Sequence, residues 1–270
     1  MLFDCDGTLV DSEPISAAVT AELLTARGVP LATEDVLARF TGLSAATTKA
    51  IVEERFGVRL GEDFDRDKRR RLDAAFDARL RPVPGMPELV GSLAATGRRF
   101  CVASSSTPHR IDRSLAVTGL DRHFPPEVRF SATMVRRGKP APDLFLLAAA
   151  RLGVDPAACV VVEDSPFGVE AGVAAGMTVV GFTAAGHASP DLAPRLRAVG
   201  AHEVAPDAEA LRRLLGAPAG SGGGSGSGSR SGDGGGSGDR GASGDRDGSG
   251  DRDGSEPRPS FPSPAGTARP

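Results

Sequence analysis

The stretch FDCDGTLVDS, Phe3 to Ser12, decides how the rest of the chain is understood. A short apolar run ends in Asp4 and Asp6, one residue apart, with Gly7 and Thr8 directly behind them. Three chemistries use such a pair: a calcium loop, an ordinary acidic turn, or a nucleophile beside a proton carrier. An EF-hand needs a third oxygen ligand before its glycine and a terminal Glu, and Gly7 follows Asp6 too soon for that. In extended backbone, residues two apart face the same side, so Asp4 and Asp6 converge while Cys5 turns into the packing. The choice between the remaining two falls to the rest of the chain.

Outward from this stretch, residues 1 to 216 alternate short apolar runs with helical stretches, the pattern of an α/β, Rossmann-like parallel sheet. Strands are expected at Leu2 to Cys5, Phe100 to Ser104, Val128 to Ser131, Cys159 to Glu163 and Thr178 to Phe182, with a sixth near Glu203. Prolines at 108, 142 and 166 open helices that glycines at 119, 153 and 176 close. Residues 13 to 82 break the pattern and carry helices alone, at Pro14 to Arg27, Thr33 to Phe40, Ser44 to Phe56 and Phe64 to Leu80. The expected organisation is therefore a core of residues 1–12 and 83–216, a helical insertion at 13–82, and a tail at 217–270. The tail is rich in Gly, Ser, Asp and Arg and includes SGDRDGSGDRDGS. It has too little apolar surface to offset its ordering entropy and is expected to be disordered. Only three residues precede Asp4, although a central strand ordinarily runs ~5 residues, so the native strand is expected to begin upstream of Met1.

Bulk properties exclude several classes. The 270 residues carry a net charge of −3 with both signs interspersed, which argues against nucleic acid and anionic membranes as partners. The basic run Arg66 to Arg71 sits among acidic residues on an expected helix and is taken as a solvated face. Cys5, Cys101 and Cys159 lie in apolar runs without CxxC spacing and read as buried free thiols. The four histidines show no metal-ligand spacing. No leader-like or bilayer-length apolar segment is present, so a cytoplasmic location is expected.

Three further polar groups fall at strand ends that a parallel sheet brings to the edge where Asp4 stands. Ser104-Ser105-Ser106-Thr107 leads into a helix whose free N–H groups suit an anion. Gly138-Lys139-Pro140 offers one lysine between turn formers, and Glu163-Asp164-Ser165 leads into another helix. Taken singly, each has a plain alternative as a cap or a solvated residue. In this order, at successive strand ends, they bring carboxylates, hydroxyls and an ammonium together at one sheet edge.

The segments DCDGT, VASSS, RGKPAPDLF and VVEDSPFGVEAGVAAGM, in this order over residues 1 to about 216, resemble the haloacid dehalogenase superfamily. The resemblance is to its phosphatase branch with a helical C1-type cap, in the subgroup of β-phosphoglucomutase and 6-phosphogluconate phosphatase. It implies a first strand at the centre of the sheet and a cap formed by the insertion. It also implies that Asp4 is the nucleophile, forming an aspartyl-phosphate, and Asp6 the general acid and then base. Thr8 assists, and Ser104 and Lys139 hold the transferring phosphoryl oxygens. The implied cofactor is Mg2+, bound by Asp4, the backbone carbonyl of Asp6, Asp164 and Glu163. No organic cofactor is implied. The substrate class is a small phosphorylated metabolite, a sugar, polyol or sugar-acid phosphate, handled by a monomer.

Chemically, phosphate monoesters demand charge neutralisation and in-line positioning, which a hard cation and a lysine supply. A proton donor at Asp6 has to hold its proton above the ~3.9 of a free aspartate, and the neighbouring charge of Asp4 is expected to raise it. Substrate contacts are expected from Ser105 and, in the insertion, from Thr41, Ser44 and Lys49. The insertion loop reads GLSAATT, with alanine where β-phosphoglucomutase carries an arginine for its second phosphate. That favours a phosphatase over a phosphosugar mutase. A non-catalytic phosphate-binding regulatory protein is the alternative of another class.

Overall fold

The computed structural model describes residues 1–41, 43 and 45–218. The expected tail from residue 219 onward, and Ser44, lie outside them. The apolar runs pair as six parallel strands: β1 (Leu2–Phe3), β2 (Cys101–Ser104), β3 (Arg129–Ser131), β4 (Val160–Glu163), β5 (Thr178–Phe182) and β6 (Glu203–Ala205). Their order is β3-β2-β1-β4-β5-β6, so the strand bearing the acidic motif is central, as the resemblance implies. The order reverses on either side of β1, and in such sheets ligands bind at the carboxyl ends beside that switch.

The sheet is covered on both faces, which is why its strands are continuously apolar rather than alternating. Adjacent residues of β1 point to opposite faces. Leu2 packs with Cys101, Ala103 and Val161 beneath α7 (Asp143–Leu152) and α8 (Pro166–Ala174). Phe3 packs on the other side with Phe100 and Phe124, the three rings meeting edge to face at centroid distances of 6.4, 6.4 and 5.2 Å. α5 (Met86–Ala95) and α10 (Ala208–Leu215) cover that side, and α9 (Leu192–Ala198) packs against β5 and β6. The three cysteines are buried and free. Among the described residues no helix is long and apolar enough to cross a membrane.

β1 is shorter than the sequence suggests. Asp4 still donates its N–H to Val162 O at 3.0 Å, but the backbone then leaves the sheet, with Leu9 N and Val10 N both closing on the Cys5 carbonyl at 2.9 and 3.0 Å. Gly7, at φ +81°, makes this turn possible, and a Cβ there would stand 2.1 Å from Asp164 Oδ2. Asp6 therefore belongs to the turn, not to the pleat of the strand.

Between β1 and β2 the chain forms α1 (Glu13–Thr25), α2 (Thr33–Phe40), α3 (Ala45–Phe56) and α4 (Glu62–Arg79), matching the helical stretch in the sequence. Val19, Leu23, Leu72, Phe76 and Leu80 are buried as their spacing predicts. The two crossings into and out of this segment run side by side: Asp11 N bonds Arg81 O, and Val83 N bonds Leu9 O, each at 3.0 Å. The segment is thereby anchored next to the acidic turn. α4 also lies along α6 (Pro108–Thr118), where Asp73 faces His109 at 3.1 Å and Asp77 pairs with Arg113.

Phe124 is fully buried at the meeting point of the ring cluster. Phe124→Ala is expected to lower unfolding stability by about 3–5 kcal/mol, read as a shifted urea midpoint at unchanged slope.

Candidate active site

Four separate segments meet at the carboxyl edge of the sheet around one ammonium. Lys139, from the turn before α7, donates to Asp4 Oδ1 at 2.6 Å, Glu163 Oε1 at 2.5 Å and Ala103 O at 2.9 Å, which uses all three of its protons. Its side chain is 2% exposed, and its charge lies 4.9 Å from the centre of the Phe145 ring. Glu163 turns its other oxygen to Ser165, accepting from the backbone N–H at 3.0 Å and the hydroxyl at 2.9 Å. Ser165 in turn caps α8 by accepting from Gly168 N at 3.1 Å. Gly168 is required there, since a Cβ would fall 1.8 Å from Glu163 Oε1.

Asp4, Glu163 and Asp164 are all buried, with ligand oxygens within 4.8 Å of one another. Three buried carboxylates against one lysine leave excess negative charge at the edge of the cavity. An oxygen-only donor set of this kind suits a hard divalent cation. Thr8 donates to Asp164 Oδ1 at 3.2 Å. Ser104 is buried at the end of β2, where its hydroxyl accepts from Ser106 N at 3.1 Å. Thr107 caps α6, accepting from Arg110 N at 3.4 Å, so the serine-rich run serves both as a helix cap and as a wall of the pocket.

The expectation that the charge of Asp4 raises the Asp6 pKa is overturned. The Asp6 carboxylate shares the cavity with Asp4 but is gripped by other groups: Ser12 Oγ at 2.5 Å, Ser106 Oγ at 2.6 Å, and Arg110 through Nη2 at 2.9 Å and Nε at 3.2 Å. Burial pushes its pKa up, but the Arg110 charge and the hydroxyl donors outweigh burial and hold it below the ordinary value. Asp4 moves the other way, because burial outweighs the opposing pull of Lys139, and Glu163, Asp164 and Asp6 add repulsion. The two carboxyls are shifted apart, in the direction opposite to that expected from the repulsion between the two aspartates.

Above the carboxylates opens a cavity of about 560 Å³, roofed by α1, α2, α3 and α4. Ser105, Thr41 and Lys49 all line it, as the sequence suggests. Lys49, however, is occupied by Asp65 at 3.0 Å, and the Thr41 hydroxyl donates to Leu37 O at 2.7 Å.

Four residues of the site escaped the motif reading. Arg110 stands in the first turn of α6, the helix after β2, and reaches Asp6 from there. Glu13 lies 3.7 Å from Arg110, and its carboxyl is pushed up to about 7 by burial, against the Arg110 charge. His187 follows β5 and sets Nε2 3.0 Å from Asp164 Oδ2, an ion-pair contact rather than an aligned hydrogen bond. Burial lowers its pKa, and Asp164 more than reverses this. The available signal was its place after a strand end, the rule that located the other segments. Lys68, in the basic run assigned to solvent, is half-buried on the cavity wall and the more exposed Arg69 lines the cavity beside it, whereas Arg66, Arg70 and Arg71 are exposed and away from it.

The sequence profile of the haloacid dehalogenase-like hydrolases matches residues 1–176. This chain belongs to that family. Among curated relatives of this hydrolase, 6-phosphogluconate phosphatase of Escherichia coli is 32% identical over 73% of the chain and 87% of the relative. Hexitol phosphatase A of the same organism is 36% identical over the same shares, 73% and 87%. A solved haloacid dehalogenase family hydrolase of Deinococcus radiodurans, with bound phosphate and sodium, is 36% identical, with a TM-score of 0.66 over 79% of this chain and 93% of that one.

Removing the central ammonium leaves Asp4 and Glu163 buried without a cation. Lys139→Met in metal-free protein is therefore expected to cost about 3–5 kcal/mol of stability at pH 7. The sign with pH follows from Asp4, whose folded pKa is already raised and loses its main downward influence in the variant. A raised carboxyl costs stability as pH climbs through its unfolded value, 3.8, toward its folded value, so the deficit shrinks below pH ~4. Urea titrations of parent and variant across pH 4–8 measure it.

Proposed function

We propose that this hydrolase is a magnesium-dependent phosphatase that cleaves a small sugar, polyol or sugar-acid phosphate monoester through an aspartyl-phosphate. The observation that carries the reading is the Lys139 ammonium bonded at once to Asp4 and Glu163 in the wall of a roofed cavity. The relatives named as phosphatases of 6-phosphogluconate and hexitols, and the bound phosphate of the Deinococcus hydrolase, support the substrate class.

In this reading Asp4 attacks the phosphorus atom and the ester oxygen departs. Ser104, and Lys139 on giving up one of its present acceptors, hold the non-bridging oxygens, which spread charge as the bond breaks. Asp4 and Asp164, with the backbone carbonyl of Asp6 and with Glu163 beside them, would hold Mg2+, which when bound neutralises charge on the phosphoryl group and its attacker. Thr8 keeps Asp164 oriented.

Asp6 carries the proton. It gives one to the leaving oxygen and then takes one from the water that attacks the aspartyl-phosphate, releasing phosphate and restoring Asp4. With Arg110 in contact, Asp6 is held ionised, which suits the second half of this cycle. The first half requires Arg110 to loosen its grip as the ester arrives. Residues 13–82 act as a cap in this scheme, hinged at the paired crossings near residues 11–14 and 81–85 and excluding water when closed. The intact Asp6 disfavours a dehalogenase, whose carbon–halogen cleavage needs no proton donor.

Phosphate release from p-nitrophenyl phosphate with Mg2+ tests the class. Asp4→Asn is expected to lower kcat at least ~10³-fold while the fold is kept. Asp6→Asn is expected to abolish turnover, and EDTA to stop release until Mg2+ is restored. Beryllium fluoride is expected to load Asp4, seen by 19F NMR, and to leave Asp4→Asn unloaded. A parent enzyme that binds phosphate but releases none would instead make the protein a non-catalytic phosphate sensor.

A further inference from the structure

One buried side chain of the site has no part in the phosphoryl chemistry described above. The loop after β5 sets His187 Nε2 3.0 Å from Asp164 Oδ2, and the two side chains are only 4% and 3% exposed. Neither ring nitrogen makes an aligned hydrogen bond with the described residues, a costly condition for a buried imidazole. The loop nevertheless pins the ring in place. Thr183 donates its N–H to Ala205 O at 3.1 Å, Gly186 to Asp11 Oδ1 at 3.0 Å and Ala188 to Ala185 O at 2.9 Å. The ring also lies against the acidic turn, since a Cβ at Gly7 would stand 2.7 Å from His187 Cε1 and 2.1 Å from Asp164 Oδ2. Glycine at this position thus lets the ring and the carboxylate close on the turn together.

We infer that His187 is a positioning residue, which holds the Asp164 carboxylate in the orientation that binds the divalent ion. This rests on the magnesium reading proposed above and adds a residue to it. Asp164 is steadied from two sides, by Thr8 donating to Oδ1 at 3.2 Å and by His187 at Oδ2. Lys139 spends its three protons on Asp4, Ala103 and Glu163, so it takes no share in this. The 3.0 Å approach of Nε2 is already that of a hydrogen bond, and a small turn of the carboxylate as the ion arrives completes it. A carboxylate oxygen that accepts one hydrogen bond keeps a lone pair for the ion. His187 is not placed as a ligand itself. Among the described residues, the donor atoms near enough to share one ion come from Asp4, Glu163 and Asp164.

Binding of Mn2+ alone, followed by the EPR signal of the free ion, tests the assignment without turnover. Partners that steady a ligand carboxylate are worth about 10- to 100-fold in metal affinity, and His187→Ala is expected to weaken Mn2+ binding by that factor. His187→Gln keeps an N–H donor at a similar reach and is expected to restore most of the affinity. His187→Leu fills the space without a donor and is expected to bind as weakly as His187→Ala. The Mg2+ concentration that half-activates release from p-nitrophenyl phosphate is expected to move in the same order. Urea midpoints in EDTA show whether each variant is folded; if His187→Ala is not, the comparison of Gln with Leu decides.

Mn2+ affinity that is unchanged or tighter in the folded His187→Ala or His187→Leu variant overturns the assignment, and so does Leu restoring binding as well as Gln, which makes the ring a packing element. Directly bonded imidazole nitrogen in the electron spin echo modulation of bound Mn2+ also overturns it, by making His187 a ligand. A parent protein that binds no Mn2+ removes both this inference and the magnesium reading. A parent that binds Mn2+ but releases no phosphate is the separate failure of the phosphatase reading, and the affinities of the variants then still decide for or against His187.

Discussion

The ammonium of Lys139, shared between Asp4 and Glu163 in the wall of the cavity, is the contact on which the site depends. It ties the ends of β1 and β4 to the turn before α7, and through Ala103 O it also holds the end of β2. A charge this deeply buried is tolerable only when every donor is used, and here every donor is used. The bond to Glu163 propagates outward through Ser165 to the first turn of α8, so a helix cap, a glycine and a catalytic-edge carboxylate share one geometry.

The same ammonium leaves the pocket electrically incomplete. Asp164, held by Thr8 and faced by His187, adds a carboxylate that Lys139 does not touch. The floor thus attracts cations through its surplus carboxylates, while the start of α6 offers donors to an anion. Above it, the polarisation of Asp4 against Asp6 is set by elements far apart in sequence. Burial beneath the helical segment lifts Asp4, and α6 supplies the arginine that lowers Asp6. The proton state of the pair is therefore tied to how α6 and the turn are seated, and α6 is itself in contact with α4 through His109 and Arg113.

Much of the fold was legible because its signals are local. Proline-opened and glycine-closed helices follow from backbone preferences, and glycines 119, 153 and 176 do take positive φ values of 69°, 64° and 72°. The strands at Val160–Glu163 and Thr178–Phe182 were visible as apolar runs because both sheet faces are covered. The end of the first strand was misplaced, since Cys5 is as apolar and as buried as a strand residue yet caps a turn with its carbonyl. Arg110 and Glu13 gave no local signal, and the place of His187 after a strand end did not by itself set it apart. A polar residue one turn into a helix, or in a loop after a strand, looks the same whether it faces solvent or a carboxylate. The basic run Arg66 to Arg71 makes the point within six positions, because helix rotation alone turns Lys68 and Arg69 to the cavity and leaves the arginines at 66, 70 and 71 away from it.

By itself, then, the sequence determined the alternation of strands and helices, the helical insertion after the first strand, and the four polar segments at strand ends. Each of these depends on residue periodicity or on the allowed backbone of Gly and Pro, which are properties of short stretches. Only the tertiary structure decided which carboxylate is paired with which cation, and hence that Asp6 is held ionised by Arg110 while Asp4 is lifted by burial. Desolvation and Coulomb interaction depend on distance through space, and segments 100 residues apart acquire that distance only when the chain is folded.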